Sequence, residues 1–482
     1  MKHLRVFAAA LLVAGCAVGP DYQPPQIKVP EHWAESHAVA AAGEAAWWKT
    51  FGDPLLEKLI QEAAAGNLDY RQALDRIAAA RAQRSIVVAA GLPSLSARSS
   101  INRRRNSFGG GTATGSGTSG QTGFGGGGAG NTISNIFQAG FDATWELDVF
   151  GGIRRGVEAA EANLDAEWEN SRAVLVSLAG EVARTYIDLR LGQRQAAIVR
   201  DNLAAQEATL ELTRVRSRAG LASELDMAQA ESGMADTRAQ LPNYDLAVKQ
   251  AVHGLGLLLG REPGALTAEL AEPGAIPAVE GEAVADLPSE LLRRRPDLRR
   301  AECRLASATA EIGVATAEMY PKFNLSAFLG LQNPNLAQLT PVGKSWSLGA
   351  AAVMPLFNWG RIRANIQAKE AQRDELLHAY QAAVLAALRD VEDALAAHGE
   401  DRLRRQALEQ SVQAADTALQ LAMERYRKGL TSFLDVLDAE RTLYAAQNQL
   451  AGGQADVSAD LVALYKALGG GWMALNRDED KK

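Results

Sequence analysis

The chain is written twice. The stretch "TRVRSRAGLASELDMAQAE", Thr213 to Glu231, reappears as "AMERYRKGLTSFLDVLDAE", Ala422 to Glu440, 209 residues later. The same spacing pairs Gly151 with Gly360, Ile153 with Ile362, Arg154 with Arg363 and Gly260 with Gly469. Upstream, Asp69, Arg71, Ala73 and Pro93 pair with Asp297, Arg299, Ala301 and Pro321 at a spacing of 228. The 19-residue difference falls at Gly109 to Gly130, a Gly, Ser and Thr tract that reads as a flexible loop inserted in the first copy. A chance likeness between helices does not hold one spacing over a hundred residues, so the chain must fold as two equivalent halves. The copies are expected over 47–260 and 289–470, joined by a Pro/Gly-rich linker over 261–288 and followed by a tail over 471–482.

Each copy reads helix, strand, loop, strand, very long helix, tight turn, helix. From Ile153 to Arg218 no proline interrupts 66 residues of helical pattern, a rod of about 100 Å at about 1.5 Å per residue. The second copy offers its equal over 361–428, and the returning helices are expected over 223–260 and 432–468. Helices of this length belong to coiled coils or repeats. Leu164, Trp168, Ser171, Leu175, Leu178, Val182, Thr185 and Leu189 follow the 4-3 spacing of a packing seam. Gly220 and Gly429 close the long helices, and Ser223 and Ser432 are N-caps for the returning ones.

Between the helices lie stretches of a different period. In "FQAGFDATWELDVFG", Phe137 to Gly151, apolar residues alternate with polar residues or glycine. Strands are expected at about 94–103, 137–149, 323–331 and 346–356. In the second copy Phe323, Leu325, Ala327 and Leu329 share a face, as do Trp346, Leu348, Ala350, Ala352 and Met354. Alternation this long suits a tilted membrane strand of about 9–11 residues, or else a hairpin half-buried on a soluble core. Four strands cannot close a spanning barrel, because open edges are not tolerated in lipid. A membrane reading therefore demands several chains, with Asp142, Glu146 and Asp148 turned toward a water-filled lumen.

The N-terminus carries Lys2 and Arg5, an uncharged run from Val6 to Ala14 and small residues before Cys16, the parts of a secretory signal over 1–15. Small residues directly before a cysteine resemble the bacterial lipobox. That resemblance implies a diacylated Cys16 as the mature N-terminus, at the periplasmic leaflet of the outer membrane, heading an extended segment over 16–46. Cys303, in a helical pattern, reads as a small buried packing residue. No later run approaches the about 20 apolar residues of a spanning helix.

A net charge of −7 gives no basic field, so nucleic acid is excluded as a partner. The run Arg293-Arg294-Arg295 reads as a solvated helix start before Pro296. Gly123, Gly125 and Gly128 fit G-x-G-x-x-G inside a glycine tract, where no buried strand precedes and no helix follows. No H-E-x-x-H, Walker A or C-x-x-C occurs and the six histidines are scattered. An enzyme, a metal site and a cofactor beyond the Cys16 lipid are not expected.

The blocks "GCAVGPDY", "WWKTFGDPLLEKLI", "LPSELLRRRPDLRRAE", "MYPKFNLS", "PLFNWGRIRA", "YRKGLTSFLDVLDAE" and "YKALGGGW" resemble the outer-membrane efflux (TolC-like) family, in its lipoprotein branch. They span nearly the whole chain. The resemblance implies a mainly α fold with a membrane β-barrel portion: a homotrimer with one twelve-stranded β-barrel, continued by a long α-helical barrel. It also implies partners, namely a periplasmic adaptor (membrane fusion) protein, an inner-membrane efflux pump and outer-membrane lipid. By the same resemblance Asp435 and Asp438 fall on the periplasmic aperture acids and Tyr426 on the tyrosine that locks the closed tips. Asp226 and Gln229 are the first-copy equivalents, with one acid retained. Gly220, Leu221, Gly429 and Leu430 match tip contacts with the adaptor. The expected function is a passive exit duct for drugs, toxic compounds or metal ions. A lipid-anchored coiled-coil scaffold without a pore, and a channel for secreted polypeptide, are the alternatives.

Overall fold

A computed structural model describes residues 17–34, 46–106, 132–279 and 288–475. The signal segment, Cys16, the glycine tract, the middle of the linker and the end of the tail lie outside the described residues. The main elements are α1 (Pro54–Gly66), α2 (Leu68–Ala90), β1 (Ser94–Asn106), β2 (Thr132–Leu147), α3 (Gly152–Arg218), α4 (Glu224–Leu258), α5 (Pro296–Ala317), β3 (Lys322–Asn333), β4 (Lys344–Val353), α6 (Arg361–Arg427) and α7 (Phe433–Ala467). Short helical turns occur at Trp47–Phe51, Pro288–Arg294, Leu336–Gln338, Leu339–Val342 and Trp472–Leu475. The duplication governs these bounds. α3 and α6 are both 67 residues long and lie 209 apart, as do α4 and α7 at 35 residues each. α4 differs in carrying Pro242 inside it, which removes one backbone donor from its ladder.

Contacts divide the chain into two units. One comprises Arg81–Glu161, Ala306–Arg373 and the described part of Met1–Tyr22. Its centre is an antiparallel sheet in the order β1-β2-β3-β4. The register sets Ala97 opposite Phe141, Phe141 opposite Leu329, and Leu329 opposite Trp346, so one apolar face runs across all four strands. That face is exposed: Leu95, Ile101, Phe141, Leu329, Trp346 and Leu348 all stand open on the single chain. On the opposite face Gly140 faces Gly330 across the β2–β3 ladder. A Cβ on either would come within 2.8 Å of the Phe328 ring, so the two glycines make the space in which that ring lies. Phe328 is thereby buried on the face that carries Asp142, an apolar residue that strict alternation assigns no place.

β2 ends at Leu147, two residues short of the expected strand. Asp148 explains the stop: its carboxylate accepts from Ile153 N at 3.0 Å and Arg154 N at 2.9 Å, at the start of α3. The expectation that Asp148 is a barrel acid is corrected, since it sits past the strand and offsets the positive end of a helix. Nearby, Phe150 stacks on Tyr320 at 4.6 Å. Val18 N donates to Phe150 O at 3.1 Å, and the buried Arg155 binds Asp21 at 2.6 Å and Val18 O at 3.2 Å. The extended N-terminal segment is thus held at the strand-to-helix junction.

The second unit comprises Gln23–Ala80, Ala162–Leu305 and Asp374–Lys482. Its core joins Trp47, Trp48, Leu56 and Leu59 to Leu178, Val182, Tyr186 and Ile187 of α3, Leu255 of α4 and Leu464 of α7. Asp53 accepts from Leu55 N and Leu56 N at the start of α1 and takes the Tyr186 hydroxyl at 2.7 Å. Burial, then the bond to Asp53, pushes that phenol up to about 12.

Two readings are revised here. Cys303 is half-buried rather than buried, and burial pushes its thiol up to about 11. Arg295 is not a solvated charge. Its guanidinium meets Asp297 at 2.8 Å and Asp390 at 3.4 Å, and donates to Ala467 O at 3.0 Å. Asn67, its first-copy equivalent, donates to the equivalent carbonyl, Leu258 O, at 2.9 Å. Both residues hold the end of a returning helix, one with an amide and the other with a charge.

Candidate functional site

The strongest concentration of expected site residues is the pair of helical turns, Ala219–Ser223 and Lys428–Ser432. Gly220 and Gly429 stand at φ of 74° and 72°, a region that glycine enters without steric cost. Leu221 N then reaches back to Arg216 O at 2.8 Å, and Leu430 N to Arg425 O at 2.9 Å, which closes each long helix. Ser223 with Asp226, and Ser432 with Asp435, form reciprocal capping boxes that open α4 and α7. The turns have one chemistry because the sequence repeats.

This geometry gives Asp226 and Asp435 work within the chain. The Asp435 carboxylate takes the Thr431 hydroxyl, Ser432 N at 3.0 Å and Ser432 Oγ at 2.9 Å. Those donors, the Thr431 hydroxyl first, hold its carboxyl below the usual carboxylate range. Asp438, one turn on, is exposed. Both acids are exposed, and they differ in that the Asp435 carboxylate is bound into the cap. Tyr426 is buried, 3% exposed, in a cluster with Leu210, Ala230, Phe433, Val436 and Leu437. Its ring lies under the Arg216 guanidinium at 4.6 Å, and Arg216 also donates to Tyr426 O at 2.8 Å.

Three tip residues escaped the sequence reading. Arg216 ties the first turn to the second, a long-range contact with no local signature. Leu225 and Leu434 are exposed beside Leu221 and Leu430 and extend each turn's apolar surface; their i, i+4 spacing and their repetition were the available signals. Deeper, the buried Glu440 accepts from Thr209 Oγ1 at 2.9 Å, and burial raises its carboxyl above the usual range.

In the sheet, Asp142 and Glu146 occupy the face opposite the apolar one, and Lys322 Nζ lies 3.9 Å from Glu146. Trp145, at the base of the apolar face, donates its indole N–H to Gly91 O at 2.9 Å, leaving an aromatic with one wet and one apolar side, as membrane interfaces favour. Among the described residues no helix is long and apolar enough to cross a membrane, and no group of three His, Cys, Asp or Glu side chains gathers to hold a metal ion.

Comparison with known proteins bears on the whole chain. The model of the outer membrane efflux protein family matches residues 59–261 and 287–470. Nodulation protein T of Rhizobium leguminosarum bv. viciae is 34% identical, over 98% of this chain and 95% of its own. The pyoverdine export outer membrane protein OpmQ of Pseudomonas aeruginosa is 35% identical, over 98% of both chains. Among solved structures, the outer-membrane channel OprN superposes with a TM-score of 0.86 at 34% identity, covering 95% of this chain and 100% of that one.

Proposed function

Because the chain belongs to the outer membrane efflux protein family, we propose that three copies assemble into one duct that carries small molecules out of the periplasm. Membership itself makes the chain an outer-membrane exit duct of an efflux system in a Gram-negative bacterium, extending into the periplasm, and not an enzyme. As such it works with a periplasmic adaptor and an inner-membrane pump. The scaffold alternative falls away with this membership.

The observation that carries the trimer is the open sheet. Its four strands expose an apolar face, and β1 and β4 each pair on one side only among the described residues. In lipid each unpaired backbone group costs several kcal/mol, so the edges must close on other copies. Three copies supply twelve strands, within the range of spanning barrels. Asp142 and Glu146 then line the lumen. Lipidation of Cys16 is supported by the segment that follows it: Val18 is tied to Phe150 O, just past the end of β2. A lipid on Cys16 would enter the leaflet where the strands end. Small-molecule cargo is supported by the relative whose name records pyoverdine export. Leu221, Leu225, Leu430 and Leu434 offer the adaptor an exposed apolar surface.

Asp438 is the acid we assign to the aperture ring, with Asp435 setting its helix in place and Tyr426 locking the tip from inside. Three exposed carboxylates around one axis favour cations. Single-channel recording tests this. The native protein should pass small, cation-selective currents, and Asp438→Asn should reduce the selectivity while the oligomer stays intact. Equal selectivity in both would remove Asp438 from the gate, and no current from an outer-membrane preparation of either would overturn the duct.

A further inference from the structure

We infer that the duplication fixes, residue by residue, how β4 of one copy pairs with β1 of the next, and that Trp359 packs on Leu92 of that second copy. The inference rests on the shared-barrel reading above and adds the register and the junction contact.

The two hairpins obey the repeat. Ser94 lies opposite Thr144, and Lys322 lies opposite Val353. Taking 228 residues from Lys322 and 209 from Val353 returns the first pair. β1 and β3 are therefore equivalent, as are β2 and β4. Within the chain the first repeat meets the second through β2 and β3, where Phe141 faces Leu329 and Asp142 faces Phe328. Carried forward by the same spacings, that contact becomes β4 against β1 of a second copy. Ala350 then faces Ile101 and Ala351 faces Ser100.

Side-chain parity excludes every odd slip from this register, and the repeat selects among the even ones. The apolar face uses even positions in β4 (Trp346, Leu348, Ala350) and odd ones in β1 (Leu95, Ala97, Ile101). The derived pairing joins even to odd and keeps one apolar face around the ring. A one-residue slip would put Ser96, Arg98 and Ser100 on the face of Trp346 and Leu348. In the derived register that face keeps Leu95, Ala97 and Ile101, with Leu348 opposite Arg103 where the apolar band of β1 ends.

The strand-to-helix junction follows the same rule. Phe150, after β2, stacks on Tyr320, before β3. Their equivalents are Trp359, after β4, and Leu92, before β1. On the single chain these are 90% and 60% exposed. Trp359 also holds φ of 53°, a left-handed conformation that a bulky residue keeps where its surroundings demand it. Trp359 meets Phe357 edge-on at 4.9 Å and still stays exposed, whereas its twin stacks on the residue before the next strand; its open face fits the matching junction of another copy. A different protein would have to present both β1 and Leu92 at this spacing.

Cysteine cross-linking in outer-membrane vesicles tests the register, in a Cys303→Ala background with copper phenanthroline as oxidant. Facing Cβ atoms lie about 4.5–5.5 Å apart and diagonal ones about 7–8 Å, while a disulfide needs about 3.5–4.5 Å. Ala350→Cys with Ile101→Cys, and Ala351→Cys with Ser100→Cys, sample adjacent rungs of the ladder, one hydrogen-bonded and one not. At least one pair should link chains into reductant-sensitive dimers and closed rings about tenfold faster than the slipped pair Ala350→Cys with Arg103→Cys. Faster linking by the slipped pair overturns the register and leaves the shared barrel standing. No linking by any pair overturns the shared barrel itself. For the junction, Trp359→Ala and Leu92→Ala should each lower the temperature at which the oligomer dissociates in detergent, and the double variant should fall no further than the worse single one. Fully additive losses would remove the contact.

Discussion

At the scale of single residues, Arg295 shows how far charge identity alone can mislead. In a run of three arginines it reads as solvated, yet it is held by Asp297, Asp390 and the Ala467 carbonyl. Arg295→Ala leaves Asp297 without this cation, Asp390 with Arg389 alone and one helix end without its donor. It should cost about 2 kcal/mol of stability, below the value for a fully buried pair because the carboxylates are partly exposed. Urea-induced loss of helical circular dichroism in detergent measures it, and Arg293→Ala, at an exposed side chain, should change little. Asp460 of α7 is the opposite case, a carboxyl with too many like neighbours. It borders a cavity of about 490 Å³ that Asp297, Asp390 and Asp393 also line. Burial, followed by Asp401 and Asp456, pushes it up to about 7. A carboxyl raised in the folded state contributes stability that is full below about pH 4 and is lost as pH rises toward 7. Asp460→Asn should flatten that decline. The gain at neutral pH should be about 1–2 kcal/mol, below full linkage because the half-exposed group is screened. An unchanged pH profile of thermal unfolding would dismiss the role.

At the scale of elements, the long helices and the turns that close them were legible because their signals are local. Proline-free length, the glycine at the stop and the serine three residues on mark α3, α4, α6 and α7 to within about two residues. The strands were less so. β2 starts earlier than its cleanest alternation and stops at Leu147, where Asp148 is recruited by the next helix. The closing glycines carry a testable load. Gly429→Val must place a β-branched side chain at φ of 72°, with an expected local cost of about 1–2 kcal/mol. Hydrogen exchange should then quicken at the α6–α7 turn and remain unchanged at the α3–α4 turn, and Gly220→Val should give the converse. Equal loss at both turns would mean that the tips open as one cooperative unit.

For the whole molecule, the lipid proposed on Cys16 and the barrel would be two separate attachments to the outer membrane. Cys16→Ser should remove the acyl mass from the mature chain but leave the oligomer in the outer-membrane fraction. A closed barrel leaves no strand edge in lipid, so the strands hold the oligomer without the acyl chains. Mass spectrometry and sucrose-gradient fractionation read the two effects, and a soluble oligomer from this variant would show that the strands alone do not hold the protein in the membrane.

The sequence by itself determined the two equivalent halves, the period of each element, the positions of the turns and the excess of strand face over what one chain can bury. These follow from spacing and periodicity, which are properties of neighbours along the chain. Tertiary structure alone decided that Arg295 and Asn67 hold matching helix ends, that Phe328 lies over a glycine pair, and that Arg216 binds one tip to the other through Tyr426. It also singled out Asp435 as the acid whose carboxylate is bound into the helix cap, where sequence spacing treats Asp435 and Asp438 alike. Each of these depends on which groups distant in sequence meet, and a buried charge or amide is defined by that meeting rather than by its neighbours in the chain.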